Sequence, residues 1–150
     1  MVGGIRDPYI IRHLDVWLGE VRSYIYKLVE RILGIAENDW KLVFHVYGRN
    51  AVMGAMEPEM AATPHEVGIV VEATAATQEL ASKAAQLARQ PFLHHGVPEW
   101  MGGTTSFACL HNPAHIDRGP VYRFNLNHVA VPHTKTEMFR TEMIELGGRS

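Results

Sequence analysis

The stretch WKLVFHVY, at positions 40–47, alternates in a way that predicts a β-strand with two chemically different faces. Leu42, Phe44 and Val46 are apolar and fall on one face, since successive side chains of a strand point to opposite sides. His45 and Tyr47 fall on the other face. One face is therefore predicted to pack in a core, and the second to meet water, a ligand or another protein surface.

The sequence before this strand predicts one long amphipathic helix. Asp7 is a suitable N-cap and Pro8 suits the first helical position, while Gly34 suits the C-terminal end. Apolar residues recur between them with gaps of three and four, as on one buried helical stripe. That stripe comprises Ile10, Leu14, Trp17, Val21, Tyr24, Leu28 and Ile32.

The remaining chain predicts three more strands and a second long helix. Thr74 or Thr77 is expected to cap this helix, and Pro91 is expected to end or kink it. The predicted strands cover residues 65–74, 104–110 and 121–131, and residues 136–146 are expected to form a short helix.

The order α-β-β-α-β-β predicts an α+β fold. We expect a two-layer sandwich of ferredoxin-like character, with a four-stranded antiparallel sheet and two helices on one of its faces. The domain is expected to span residues 1–133, followed by a tail at residues 134–150.

Composition limits the classes of function. A chain of 150 residues that is 47% hydrophobic can bury one core, so a single domain is expected. A net charge of −2 gives no electrostatic reason to expect nucleic acid as a partner. The apolar runs are far below the roughly 20 residues that span a bilayer, and no membrane partner is expected. The lone Cys109 indicates a reducing, cytoplasmic setting.

Nine histidines invite a metal site, but their spacing does not favour one. His94 and His95 are adjacent, so their side chains diverge on a helix, and Asn112-Pro113 interrupts the pair His111 and His115. No G-x-S-x-G turn or glycine-rich loop opening a helix is present either. We expect neither a metal nor a resident cofactor.

The polar side chains that strand alternation places on the uncovered face form the candidate site. His45 and Glu72 are candidate catalytic residues, with Glu72 as a general base if solvent is excluded. Arginine and asparagine suit recognition of a carboxylate or carbonyl oxygen. The candidate substrate-binding residues are Tyr47, Arg49, Asn50, Glu66, Arg123 and Asn125. The alternative is that these positions are polar only because they face solvent.

Four motifs, in this order, resemble the C-terminal portion of the acyclic terpene utilisation (AtuA-like) family. They are GIRDP from position 4, FHVYGRNAVMGAMEP from 44, HEVGIVVEATAATQELA from 65 and GPVYRFNLNHV from 119. The segment GGTTSFACLHNPAH, from position 102, departs from the family pattern.

The resemblance implies a module that acts with a larger N-terminal α/β domain or partner subunit in acyclic terpenoid catabolism. It implies a carboxylic acid or acyl-CoA intermediate as substrate and carries over no catalytic residues. A homo-oligomer is expected. The alternative is a non-catalytic assembly or dimerisation module, and a self-contained enzyme is the least expected reading for a chain of this size.

Overall fold

The computed structural model describes residues 1–98 and 100–147. Four strands and three α-helices are present in these residues, with short 3₁₀ turns at Glu37–Asp39 and Gly54–Met56. In chain order the elements are β1 (Val2–Ile5), α1 (Pro8–Arg12), α2 (Leu14–Leu33), β2 (Trp40–Tyr47), β3 (Val67–Ala75), α3 (Gln78–His94) and β4 (Ala108–Cys109).

The strands form one antiparallel sheet in the order β2-β3-β1-β4. The pairing of β2 with β3 runs from Trp40 opposite Ala75 to Tyr47 opposite Gly68. β1 pairs only with the first part of β3, from Ile5 opposite Val67 to Val2 opposite Val70. The prediction of an α+β fold with a four-stranded antiparallel sheet is confirmed.

The predicted helix boundaries follow local capping rules. The Asp7 carboxylate accepts hydrogen bonds from the backbone N–H of Tyr9 and Ile10, at 2.8 and 3.0 Å. The last helical turn ends at Gly34, whose φ of +67° lies in the left-handed region that glycine adopts without strain. His13 interrupts what was predicted as one helix and separates α1 from α2.

The buried stripe of α2 shifts relative to the prediction. Leu14, Trp17 and Val21 are buried as expected, but the stripe continues through Ile25 and Val29. Tyr24 and Ile32 are instead exposed. With 3.6 residues per turn, a step of four residues departs less from the core direction than a step of three. Steps of four from Val21 therefore keep Ile25 and Val29 on the buried side.

The core lies between the helices and one face of the sheet. Phe92 of α3 is fully buried and contacts three aromatic rings. Its ring centroid lies 5.5 Å from that of Trp17, 5.2 Å from that of Phe44 and 4.9 Å from that of Phe107. The face that contains His45 has no helix packed on it in the described residues.

The observed order of elements differs from the predicted order at both ends of the chain. β1 was missed because VGGI is short and contains two glycines, which lower β-propensity. The predicted strand at residues 121–131 is wrong, since that segment has no strand pairing and every side chain in it is exposed. The predicted helix at 136–146 is also wrong, because only a turn forms there.

Two further predictions are corrected around α3. Pro91 lies inside α3, which continues to His94, so the helix does not end at the proline. Only Ala108 and Cys109 of the predicted strand 104–110 pair with β1. The preceding chain instead runs past the end of α3, where the Thr105 hydroxyl donates to the Phe92 carbonyl.

The described residues contain no helix that is long and apolar enough to cross a membrane. The division into a domain at 1–133 and a tail at 134–150 stays a prediction, and residues 148–150 of that tail lie outside the described residues.

Candidate functional site

A cleft of about 810 Å³ opens beside the second half of β3. It exists because β1 is much shorter than β3, so β3 has no neighbour on that side beyond Val71. The floor is formed by β3 from Val70 onward, and one wall by the first turns of α3 at Ala81, Ser82 and Ala85. Most of this lining consists of small side chains, which leaves room for a ligand of substantial size.

The opposite wall is formed by residues 116–121. The segment of residues 114–120 is here named the strap. Its Asp117 accepts a hydrogen bond from the Ser82 hydroxyl at 2.5 Å. His115 receives one from the Gln86 side-chain amide at 3.1 Å. These contacts fix the strap along α3, and Ile116 and Arg118 consequently line the cleft.

Glu72 and Arg118, which line the cleft, form a polar chain with His45, which lies on the uncovered sheet face outside the cleft lining. His45 Nε2 lies 3.1 Å from Glu72 Oε2, and Arg118 donates from Nη1 to Glu72 Oε1 at 3.1 Å. All three are partly exposed, with 38% of the His45 side chain, 39% of Glu72 and 75% of Arg118 accessible. A ligand can therefore reach each of them.

This geometry has a definite chemical consequence for His45. A carboxylate beside Nε2 favours the ring tautomer that carries its proton on Nε2. Nδ1 is then left as a proton acceptor, as required of a general base. Glu72 contacts His45 through Oε2 and Arg118 through Oε1, so its carboxylate is placed to hold the His45 ring in one orientation.

Two further groups affect the electrostatics of the cleft. Burial lowers the pKa of the Met1 amino group, which donates to the Val71 carbonyl at 2.8 Å, while Glu72 and Cys109 oppose that shift. Thr77 and Gln78, at the N-terminus of α3, also line the cleft. A helix N-terminus favours negative charge, so an anionic group is favoured at this end.

The structure brings some of the predicted site residues together and separates others. His45 and Glu72 share a sheet face, as strand alternation predicted, and the register of β2 with β3 brings them into contact. Arg49 does not join them, because its guanidinium donates to Asp15 of α2 at 2.7 Å on the helical side of the sheet. Asn50 lies in the turn after β2, where its backbone N–H donates to the Val46 carbonyl.

The remaining predicted substrate-binding residues have no described contact with the His45–Glu72 pair. Tyr47 shares their face but lies at the end of β2 and is half exposed. Glu66 is exposed just before β3, and Arg123 and Asn125 lie in the exposed segment 121–131. The predicted cluster of eight residues is therefore reduced to its two proposed catalytic members.

Sequence reasoning missed Arg118 and Ser82. Arg118 meets Glu72 across 46 positions of sequence, within the loop HNPAHIDRGP, which carried no strand or helix pattern. Ser82 lies one turn into α3 on the side that faces the strap. The sequence signal that could have found Arg118 is the presence of a basic residue in the loop that follows β4.

Metal ligation has no geometric support in residues 1–98 and 100–147. No three histidine, cysteine or acidic side chains there are grouped as a metal centre requires. His95 points to Glu20 of α2, with 3.4 Å between the ring nitrogen and the carboxylate. The expectation of no metal and no cofactor stays a prediction.

No family model, curated protein or solved structure matches this chain. The resemblance to the acyclic terpene utilisation family therefore stays a prediction, and the geometry of the cleft is the direct basis for a functional proposal.

Proposed function

We propose that this chain is a module of an acyclic terpene utilisation (AtuA-like) protein, and that its cleft holds a carboxylic acid or acyl-CoA intermediate. The observation that carries this proposal is the combination of a largely apolar cleft of about 810 Å³ with the Arg118 guanidinium at its border. An apolar chain fits the alanine-lined interior, and a carboxylate or carbonyl oxygen fits the arginine.

Arg118 has donors to spare for such a ligand. A guanidinium carries five N–H groups, and Nη1 is bonded to Glu72 while most of the side chain is exposed. The N-terminal turn of α3 adds a second source of positive potential to the cleft. In this proposal Arg118 replaces Arg49 as the residue that recognises the acid.

His45 and Glu72 are proposed to carry the proton transfer. His45 Nδ1 accepts a proton from the bound intermediate, and Glu72 holds the ring in position. A larger N-terminal α/β domain or partner subunit is proposed to close the exposed side of the site, since these groups are only partly screened from water.

Three finer features belong to the same proposal. The sheet order β2-β3-β1-β4, with helices between β1 and β2 and between β3 and β4, supports a ferredoxin-like two-layer fold. The single cysteine supports a cytoplasmic setting. The many exposed apolar side chains after Pro120 support a homo-oligomer.

Binding of citronellate to the full chain tests the proposal, with citronellol as the uncharged control. Calorimetric titration is expected to show binding of the acid, and Arg118→Met is expected to weaken it roughly ten- to hundredfold. This follows from the loss of a charge-assisted hydrogen bond of about 1.5–3 kcal/mol. Arg89→Met, an exposed position on α3, is the matched control and is expected to leave affinity unchanged.

Equal affinity for citronellate and citronellol, or equal weakening by both arginine substitutions, contradicts the proposal. Absence of any binding, together with self-association of the chain, favours the alternative of a non-catalytic assembly module. The exposed apolar segment after Pro120 is the observation that supports this alternative.

A further inference from the structure

The sheet face opposite the helices, here named the free face, carries an apolar strip. Val2, Val43 and Val70 contribute to it, and each is only half-buried. Val2 lies directly opposite Val70 in the sheet. No helix of residues 1–98 and 100–147 covers these side chains.

Two glycines lie next to this strip and leave the backbone bare. Gly4 of β1 is paired directly with Gly68 of β3. Glycine inside a strand weakens the strand, and it often marks a point where another chain approaches closely. The free face therefore has a shallow depression bordered by Val2, Val70 and Tyr47.

The fold itself does not require glycine at position 68. A Cβ added to Gly68 would lie 3.7 Å from the Tyr47 Cβ, which is an ordinary van der Waals contact. Its φ is also outside the left-handed region, since the positive-φ glycines are at other positions. The space that Gly68 leaves open is therefore available to a chain that approaches from outside the molecule.

The segment of residues 121–131 has the complementary character. Over residues 122–127 its apolar side chains alternate with polar ones, as in a strand that lies on a surface. Tyr122 is 90% exposed, Phe124 79% and Leu126 65%. Arg123 and Asn125 fall on the opposite side of the segment, so one side is suited to packing and the other to solvent.

The free edge of β2 does not offer a place for this segment. The Leu42 amide donates to the Tyr26 hydroxyl at 3.2 Å, and the Leu42 carbonyl accepts from Arg22 at 2.6 Å. The Val46 carbonyl is occupied by three amides of the following turn. Since side chains and turn already cap this edge, docking on the free face is favoured over addition of a strand to the edge.

A second copy of the chain is the occupant that fits these observations. Within the described residues, each copy carries one segment without strand pairing and one sheet face without a helix, so a reciprocal exchange covers both and closes with two-fold symmetry. Each aromatic ring buries about 150–250 Å², so Tyr122 and Phe124 of two copies account for roughly 600–1,000 Å². The aliphatic side chains bring the total toward the roughly 1,600 Å² of a stable interface.

We propose that residues 121–131 of one copy pack across the free face of a second copy, with Tyr122 and Phe124 over the Gly4–Gly68 depression. This inference rests on the homo-oligomer of the proposed function and names its interface. The interface adjoins the cleft, because Val2 and Val70 also line the cleft and His45 is paired with Val70. Dimerisation is measured without ligand, so failure of the interface and failure of citronellate binding are distinguishable.

Light scattering of the full chain over a range of concentrations tests the inference. A single chain has a mass of 16.8 kDa, and the expected result is twice that value. Phe124→Ser removes the aromatic ring that docks, and Gly68→Val fills the depression that receives it. Each is expected to weaken dimerisation at least tenfold, whereas Asn125→Ser, on the opposite side of the segment, is the matched control.

A mixture of the two variants gives the sharpest result. Phe124→Ser retains an intact free face and Gly68→Val retains an intact segment, so their mixture recovers one of the two dockings. We expect heterodimers in the mixture and monomers in each variant alone, with unchanged circular dichroism spectra. A monomeric unsubstituted chain, dimers in both variants, or a mixture no better than its components would each overturn the inference.

Discussion

Replacement of Phe92 by alanine is expected to be the most damaging single truncation in the core. Phe92 has no exposed surface, and its ring touches those of Trp17, Phe44 and Phe107 at centroid distances of 4.9 to 5.5 Å. These partners come from α2, from β2 and from the chain before β4. Truncation at this point therefore loosens three parts of the fold at once.

The structure places the expected loss at about 4 kcal/mol. Phenylalanine-to-alanine substitutions in cores cost about 3–5 kcal/mol, including the cavity that remains. Two edge-to-face pairs and one tilted pair are lost together, which favours the upper half of that range. Because a domain of this size has a total stability of about 5–15 kcal/mol, the loss is a large fraction of it.

Urea unfolding followed by circular dichroism measures this loss. With a slope of about 2 kcal/mol per molar urea, the unfolding midpoint should fall by roughly 2 M. Phe139→Ala is the matched control, because Phe139 is 75% exposed and its truncation should change the free energy of unfolding by less than about 0.5 kcal/mol. Similar midpoints for the two variants would refute the assignment of Phe92 to the centre of the core.

Two further predictions concern local structure. Gly34→Ala should destabilise the chain by about 1 kcal/mol because Gly34 has a left-handed φ, whereas Gly19→Ala inside α2 should stabilise it by about 0.5–1 kcal/mol. Neither added Cβ meets an atom within 4 Å, so the backbone conformation alone sets the sign. Thermal melting measures both effects, and melting temperatures that shift in the same direction would contradict the prediction. Hydrogen bonding to Lys83 holds the pKa of Glu79 below its ordinary value of 4.5. The pair therefore stabilises the helix above pH 4.5, and this stabilisation is lost as the pH falls through the lowered pKa. Titration of the Glu79 carboxyl by NMR should show the lowered midpoint, and Lys83→Met should return it to the ordinary value.

The sequence alone determined those features that depend on neighbours in the chain. Alternation predicted β2 with its exact bounds and β3 within two residues. The cap at Asp7 and the helix end at Gly34 were also predicted, and Thr77 was one of two candidate caps for α3, because a capping side chain bonds to backbone only two or three positions away. Alternation also placed His45 and Glu72 on the same sheet face, although their contact depends on the register of β2 with β3.

Only the tertiary structure decided which strand-like segments find partners. β1 forms although VGGI has low β-propensity, since β3 and β4 supply its hydrogen bonds. Residues 121–131 have a better strand pattern and pair with nothing in the described residues. Likewise Arg118 forms an ion pair with Glu72, whereas Arg49 forms one with Asp15. The partner of a strand or of a charge lies far along the chain, so its identity is set by packing rather than by the local pattern.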